Sequence, residues 1–261
     1  MKRLLSVFIL ISVFFSASFA LNITKSECSK KDKNYIFAGG ECLQFYVSKT
    51  ENKDSLNIII HGTWKAGTNT LGRYAPFAED LALQTDITTV AIALPGYSGS
   101  STNHFKALSH LGKTKPQAAS EKYLLFLSTV LQAFKKKYHA KKLNYIGHSA
   151  GAMMGATLAG LKPGLITNLF CAGGVYNIHK KNPSKGLISA IDYIDKIPKT
   201  TKIVLTYGTK DKISKPYMTK RFYKLAKAKG LNVELVKVKG SGHLGLDMSD
   251  RSVEAITETL N

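Results

Sequence analysis

Short apolar runs alternate along the chain with longer stretches in which apolar residues recur at helical spacing. The runs are Leu56–Ile60, Ile87–Leu94, Lys142–Ile146, Ile166–Ala172, Thr201–Tyr207 and Asn232–Val238, and each stops at or one residue before His61, Pro95 or a glycine. Their Val, Ile and Leu content fits strands of a parallel sheet covered on both sides. Between them the pattern predicts helices over 72–84, 117–139, 150–161, 214–230 and 249–260. In the second, Leu124, Leu127, Leu131 and Phe134 share one face and the last turn is rich in lysine, which complements the helix dipole. The fourth stops at Gly230, a residue suited to a helix C-terminus. Ahead of these elements, residues 33–47 (KNYIFAGGECLQFYV) read as an antiparallel hairpin turning at Gly39-Gly40. Strand-helix alternation of this kind predicts an α/β fold.

The first twenty residues stand outside that pattern. Lys2 and Arg3 precede an apolar run over 4–15, and Ser18 and Ala20 close it with small side chains, the layout of a secretory signal peptide. The run is short for a membrane span. The reading is an exported chain, periplasmic or secreted, with a mature part of residues 21–261, a length that suits a single domain. Export makes a disulfide possible. Cys28 and Cys42 flank the hairpin and are the expected pair, while Cys171 lies in an apolar run and reads as buried and free. No CxxC pair or His/Cys cluster suggests a metal.

Lysine and arginine number 37 against 17 aspartates and glutamates, a net charge of +20. The lysines are scattered, with no arginine-rich helix and no aromatic RNA-binding signature, so specific nucleic-acid recognition is not expected. A solvated basic surface is the plain reading, and attraction to anionic lipid or envelope polymer is the sharper one.

Chemistry concentrates at the ends of the predicted strands. Gly147-His148-Ser149-Ala150-Gly151 lies where a strand meets a small-residue helix. A serine on such a turn is held in a strained backbone that projects its hydroxyl from the sheet edge. A serine hydroxyl needs a base, and the base needs an acid to fix its tautomer. His243, between glycines after the last strand, is the candidate base, and Asp211, after the preceding strand, the candidate acid. His148 adjoins the serine and is expected to point away from it, and His104, His110, His139 and His179 read as surface residues. Asp192 and Asp195 fall on a predicted helix. After the strand that ends at His61-Gly62, the backbone N–H of Thr63 pairs with that of Ala150 as a candidate oxyanion hole. Trp64 is the alternative donor, and its side chain a candidate pocket wall.

Together HGTW, GHSAG, GTKD and GSGHLG, in this order, resemble the α/β-hydrolase superfamily, from about Leu56 to the C-terminus. The resemblance implies a mostly parallel sheet of about eight strands flanked by helices, with residues 35–47 as its first antiparallel strands. It also implies nucleophile, acid and base in the order Ser149, Asp211, His243. The chain departs from the HGGG oxyanion motif of one esterase branch, and has Ser where the dienelactone hydrolases have Cys. It also lacks a large cap, having only a short insertion over 175–199.

In that insertion Leu187, Ile188, Ile191 and Ile194 recur at helical spacing. Ile188 and Ile191 are candidate linings of an acyl pocket, with simple packing on the core as the alternative. The loop over 95–105, with Tyr97, is the other candidate wall. These features point to a serine hydrolase acting on a small acyl ester without a cofactor. A peptidase or acyltransferase shares the same triad, and a non-catalytic binding protein attracted to anionic surfaces stands as the rival class.

Overall fold

The computed structural model describes residues 22–108 and 116–261. Residues 1–20, expected from the sequence to be a signal peptide, Leu21 and His110 lie outside the described residues. Eight strands form one sheet: β1 Tyr35–Ala38, β2 Glu41–Ser48, β3 Ser55–Ile60, β4 Thr89–Ile92, β5 Lys142–His148, β6 Asn168–Ala172, β7 Lys202–Gly208 and β8 Val233–Val238. Their spatial order is β1-β2-β4-β3-β5-β6-β7-β8. The β1-β2 hairpin is antiparallel, as is its junction with β4, and every other neighbour pair is parallel. This is the α/β-hydrolase fold expected from the sequence.

The helices are α1 Lys25–Ser29, α2 Thr70–Thr85, α3 Glu121–Lys137, α4 Ala150–Leu161, α5 Ala190–Tyr193, α6 Pro216–Ala228 and α7 Asp250–Leu260. Both faces of the sheet are covered, which explains why its strands read as largely apolar runs. On β3, Leu56, Ile58 and Ile60 enter the larger core with α3, α4 and α6, while Ile59 faces Tyr74, Phe77 and Leu81 of α2 and Ile256 of α7.

Three asparagines interrupt the apolar runs. Asn144 on β5 donates to Asn57 Oδ1 on β3 at 2.8 Å and accepts from Asn168 Nδ2 on β6 at 2.8 Å. Asn57 in turn donates to Thr85 and Thr89. This amide ladder satisfies polar groups inside the core and ties neighbouring strands into one register.

The predicted insertion helix is reduced to a single turn, α5, followed by a 3₁₀ turn at Ile194–Lys196. Pro183 and Gly186 keep the upstream residues out of the helix, and the Asp192 carboxylate accepts the Ser189 amide at 2.8 Å to start it late. Leu187 and Ile194 are buried in the core, so their spacing recorded burial and not a continuous helix. Cys28 on α1 and Cys42 on β2 form a disulfide, and Cys171 is buried and free.

Candidate active site

Residues 147–151 make the turn between β5 and α4. Ser149 sits at φ 55°, ψ −113°, in a left-handed region costly for a residue with a side chain. Its own N–H donates to Ala172 O at 2.9 Å, anchoring the strained turn to β6. Although Ser149 is the N-cap of α4, its hydroxyl caps no helix amide. The helix therefore starts with free N–H groups, and the hydroxyl remains available for chemistry. The turn needs glycine at position 151, where a Cβ would lie 2.1 Å from the Ile60 carbonyl oxygen.

The Ser149 hydroxyl donates to His243 Nε2 at 2.8 Å, and His243 Nδ1–H donates to Asp211 Oδ2 at 2.8 Å. The other oxygen of Asp211 accepts the amides of Ile213 and Ser214, each at 2.8 Å. Burial opposes ionisation of this carboxyl, but the His243 hydrogen bond and charge, with the two amides, hold it below the usual carboxylate range. The acid is thus a fixed anion facing one side of the imidazole. The three sequence-predicted residues meet at the C-terminal edge of the sheet, from turns that follow β5, β7 and β8.

The loop after β3 runs against the serine: a Cβ at Gly62 would stand 2.8 Å from Ser149 Cβ. His61 orients it. Its Nε2 accepts the Leu94 amide at 3.1 Å, which leaves the proton on Nδ1, and Nδ1–H donates to the Gly62 carbonyl at 2.6 Å. In a trans peptide N–H and C=O point opposite ways, so the Thr63 amide is turned away from His61. The Trp64 amide is engaged by the Tyr97 hydroxyl at 3.4 Å, which favours Thr63 over Trp64 as the free donor.

Tyr97 is fully buried, beneath the loop and not on an open wall. Its hydroxyl also donates to Trp64 O at 3.0 Å and contacts Leu108 O. The glycine- and serine-rich loop that carries Tyr97 reads as a mobile pocket wall in the sequence, but here Tyr97 supports the backbone. Trp64 is half-buried with the Arg73 guanidinium 5.2 Å from its ring centroid, and its buried Nε1 has no partner among the described residues. Ile188 packs against the core and its amide donates to Ala119 O at 2.9 Å. Ile191 lines a separate cleft with Tyr176 and α6.

In the sequence His148 reads only as pointing away from Ser149; the structure ties it to the loop that carries His243. Its Nε2 donates to the carbonyl of His243 at 2.8 Å, so it holds the loop that carries the imidazole. Nothing local signals a bond between residues 95 positions apart. Among the described residues no cluster of His, Cys, Asp and Glu is arranged to hold a metal.

A strained serine, a histidine and a carboxylate at the carboxyl edge of this sheet define a class of fold and site, and comparison with known proteins gives the family. Residues 58–197 match the alpha/beta hydrolase fold family. The chain belongs to that family. Among solved structures it is similar to esterase Pf2001 of Pyrococcus furiosus, with 18% identity over 91% of this chain and 94% of that one and a TM-score of 0.67. It is also similar to Est1E of Butyrivibrio proteoclasticus, solved with ferulic acid bound: 19% identity over 87% and 95%, TM-score 0.63. A monoacylglycerol lipase of Paleococcus ferrophilus shares 17% identity over 84% and 98%, with a TM-score of 0.59. No curated protein matches the sequence. At these identities the likeness is one of fold.

Proposed function

We propose that this protein is an exported serine hydrolase, a single domain over 21–261, that cleaves carboxylic esters through an acyl-enzyme. The observation that carries the reading is the 2.8 Å bond from the Ser149 hydroxyl to His243 Nε2, on a serine held at positive φ. Ser149 Oγ attacks the ester carbonyl as His243 Nε2 takes its proton, and Asp211 stabilises the imidazolium that forms. The oxygen of the tetrahedral intermediate carries the negative charge, met by the N–H groups of Thr63 and Ala150. Collapse of the intermediate breaks the bond to the alcohol, which leaves with the proton from His243. Water, deprotonated by the same imidazole, then releases the carboxylate and restores Ser149.

Esterases and a lipase among the structural relatives support the ester as substrate class. Export is supported by the leader-like residues 1–20 and by a disulfide, which persists in an oxidising compartment. The basic surface supports attraction to anionic lipid or envelope polymer. A fluorophosphonate probe is expected to label the wild type and to leave Ser149→Ala unlabelled; equal labelling of both removes Ser149 from its role. Turnover of p-nitrophenyl esters with no turnover of aminoacyl amides separates the esterase from a peptidase.

A further inference from the structure

A cleft of about 290 Å³ lies between the insertion after β6 and α6, and none of its walls belongs to Ser149, His243 or Asp211. Its volume is at the lower end of small-molecule sites, which run from about 300 Å³ upward. The floor is aromatic: the Tyr176 and Phe222 rings stack with centroids 4.6 Å apart. Tyr217 and Leu225 stand at its edge 48% and 38% exposed, apolar surface that the described residues do not cover. The rim is cationic. Lys180, Lys181 and Arg221 line it, no acidic residue does, and none of the three has a carboxylate partner among the described residues. Asp192, the nearest acid in sequence, is turned to His179 and the Ser189 amide. The Arg221 guanidinium rests 5.2 Å from the Tyr217 ring centroid, so charge and apolar wall adjoin.

We propose that this cleft is a second binding site, for a small amphiphilic carboxylate whose alkyl or aryl body lies on the Tyr176–Phe222 floor and whose anionic head meets Lys180, Lys181 and Arg221. Three unpaired cations above an apolar floor repel one another and leave both features half-satisfied. A ligand with an apolar tail and one negative head completes both at once, whereas a neutral or cationic amphiphile completes at most one. The buried Asn177 Oδ1, which also belongs to this lining and has no partner among the described residues, would accept a hydrogen bond from a hydroxyl on the ligand. In the chain α6 follows the Asp211 turn, but Asp211 does not line the cleft and occupancy of the cleft does not require the hydrolysis proposed above.

Isothermal titration calorimetry with octanoate tests this, with 1-octanol and octyltrimethylammonium as comparators. Octanoate should bind saturably, more tightly than either comparator, and equally well to Ser149→Ala. The double variant Lys181→Glu/Arg221→Glu should weaken it by roughly tenfold or more, and Met218→Trp, which fills the cleft without altering charge, should abolish it. Circular dichroism establishes that both variants are folded; should one not be, the other decides. Binding of octanol within twofold of octanoate, unchanged binding in the folded variants, or loss of binding after phosphonylation of Ser149 would each overturn the assignment.

Discussion

His61 is buried, and burial pushes its imidazole down to about 4. The neutral ring is the one the loop after β3 needs, because Nε2 must accept from Leu94 while Nδ1–H donates to Gly62. The same depression links the loop to pH. An unfolded histidine takes up a proton near about 6.5, whereas folded His61 does not until about pH 4, so stability is complete above the first value and falls as the pH drops toward the second. The loss approaches about 3 kcal/mol. Asp211, also held low, loses its contribution only below the unfolded carboxylate value of about 3.9, so the two windows are separable. Urea midpoints measured across this range should decline in the wild type and stay flatter in His61→Gln, which keeps an acceptor toward Leu94; identical slopes would dismiss the linkage. The meeting of Ser149, Asp211 and His243 was legible in the sequence because the three residue types stand at successive strand ends. His148 and Tyr97 were not, since each acts through backbone groups far along the chain.

Strands and helices followed the hydrophobic pattern closely: the predicted helix over 150–161 is α4 itself, and the run over 142–146 extends into β5 only as far as His148. Missed elements were those whose stability is not carried by periodicity. Helix α1 is one short piece started by a capping box between Thr24 and Glu27 and tied down by Cys28. The insertion shows the converse error, where Leu187 to Ile194 have helical spacing but glycine and proline confine the helix to α5. The asparagine ladder had no signature either, because a polar residue in an apolar run looks like a strand end until its neighbour in the next strand is known. Asn144 is its centre. Asn144→Ala should cost about 3 kcal/mol, leaving Asn57 Oδ1 and Asn168 Nδ2 without their partner. A denaturant-derived loss below about 1 kcal/mol would mean that water replaces the amide and that the ladder adds little to register.

At the scale of the whole molecule, the sheet has a weak end and the chain fastens it covalently. Strand β1 is an edge with only four residues, and a hairpin on its own is marginal in water. Two separate devices hold it. The buried Glu41 carboxylate accepts from the Ser101 hydroxyl at 2.5 Å and from the Asn103 and Phe105 amides at 2.8 and 3.1 Å, so the hairpin turn is bound to the loop after β4. Asn103 continues that link, donating to Ile23 O at 2.7 Å and Gly40 O at 2.9 Å. The disulfide from Cys28 to Cys42 then closes a loop with a sequence separation of 14 residues, which restricts the unfolded chain by about 3 kcal/mol. The double variant Cys28→Ser/Cys42→Ser should therefore unfold at lower denaturant, by about that amount. The hydrolysis proposed for Ser149 should be unaltered per folded molecule, because β1 lies at the edge of the sheet remote from β5, β7 and β8, whose following turns carry Ser149, Asp211 and His243. Reduction of the wild type should reproduce the shift and leave the double variant unmoved. Equal stability of oxidised and reduced wild type would assign the fastening to Glu41 and Asn103 alone, whereas loss of turnover in folded variant protein would mean that the edge strand is coupled to the Ser149 turn across the sheet.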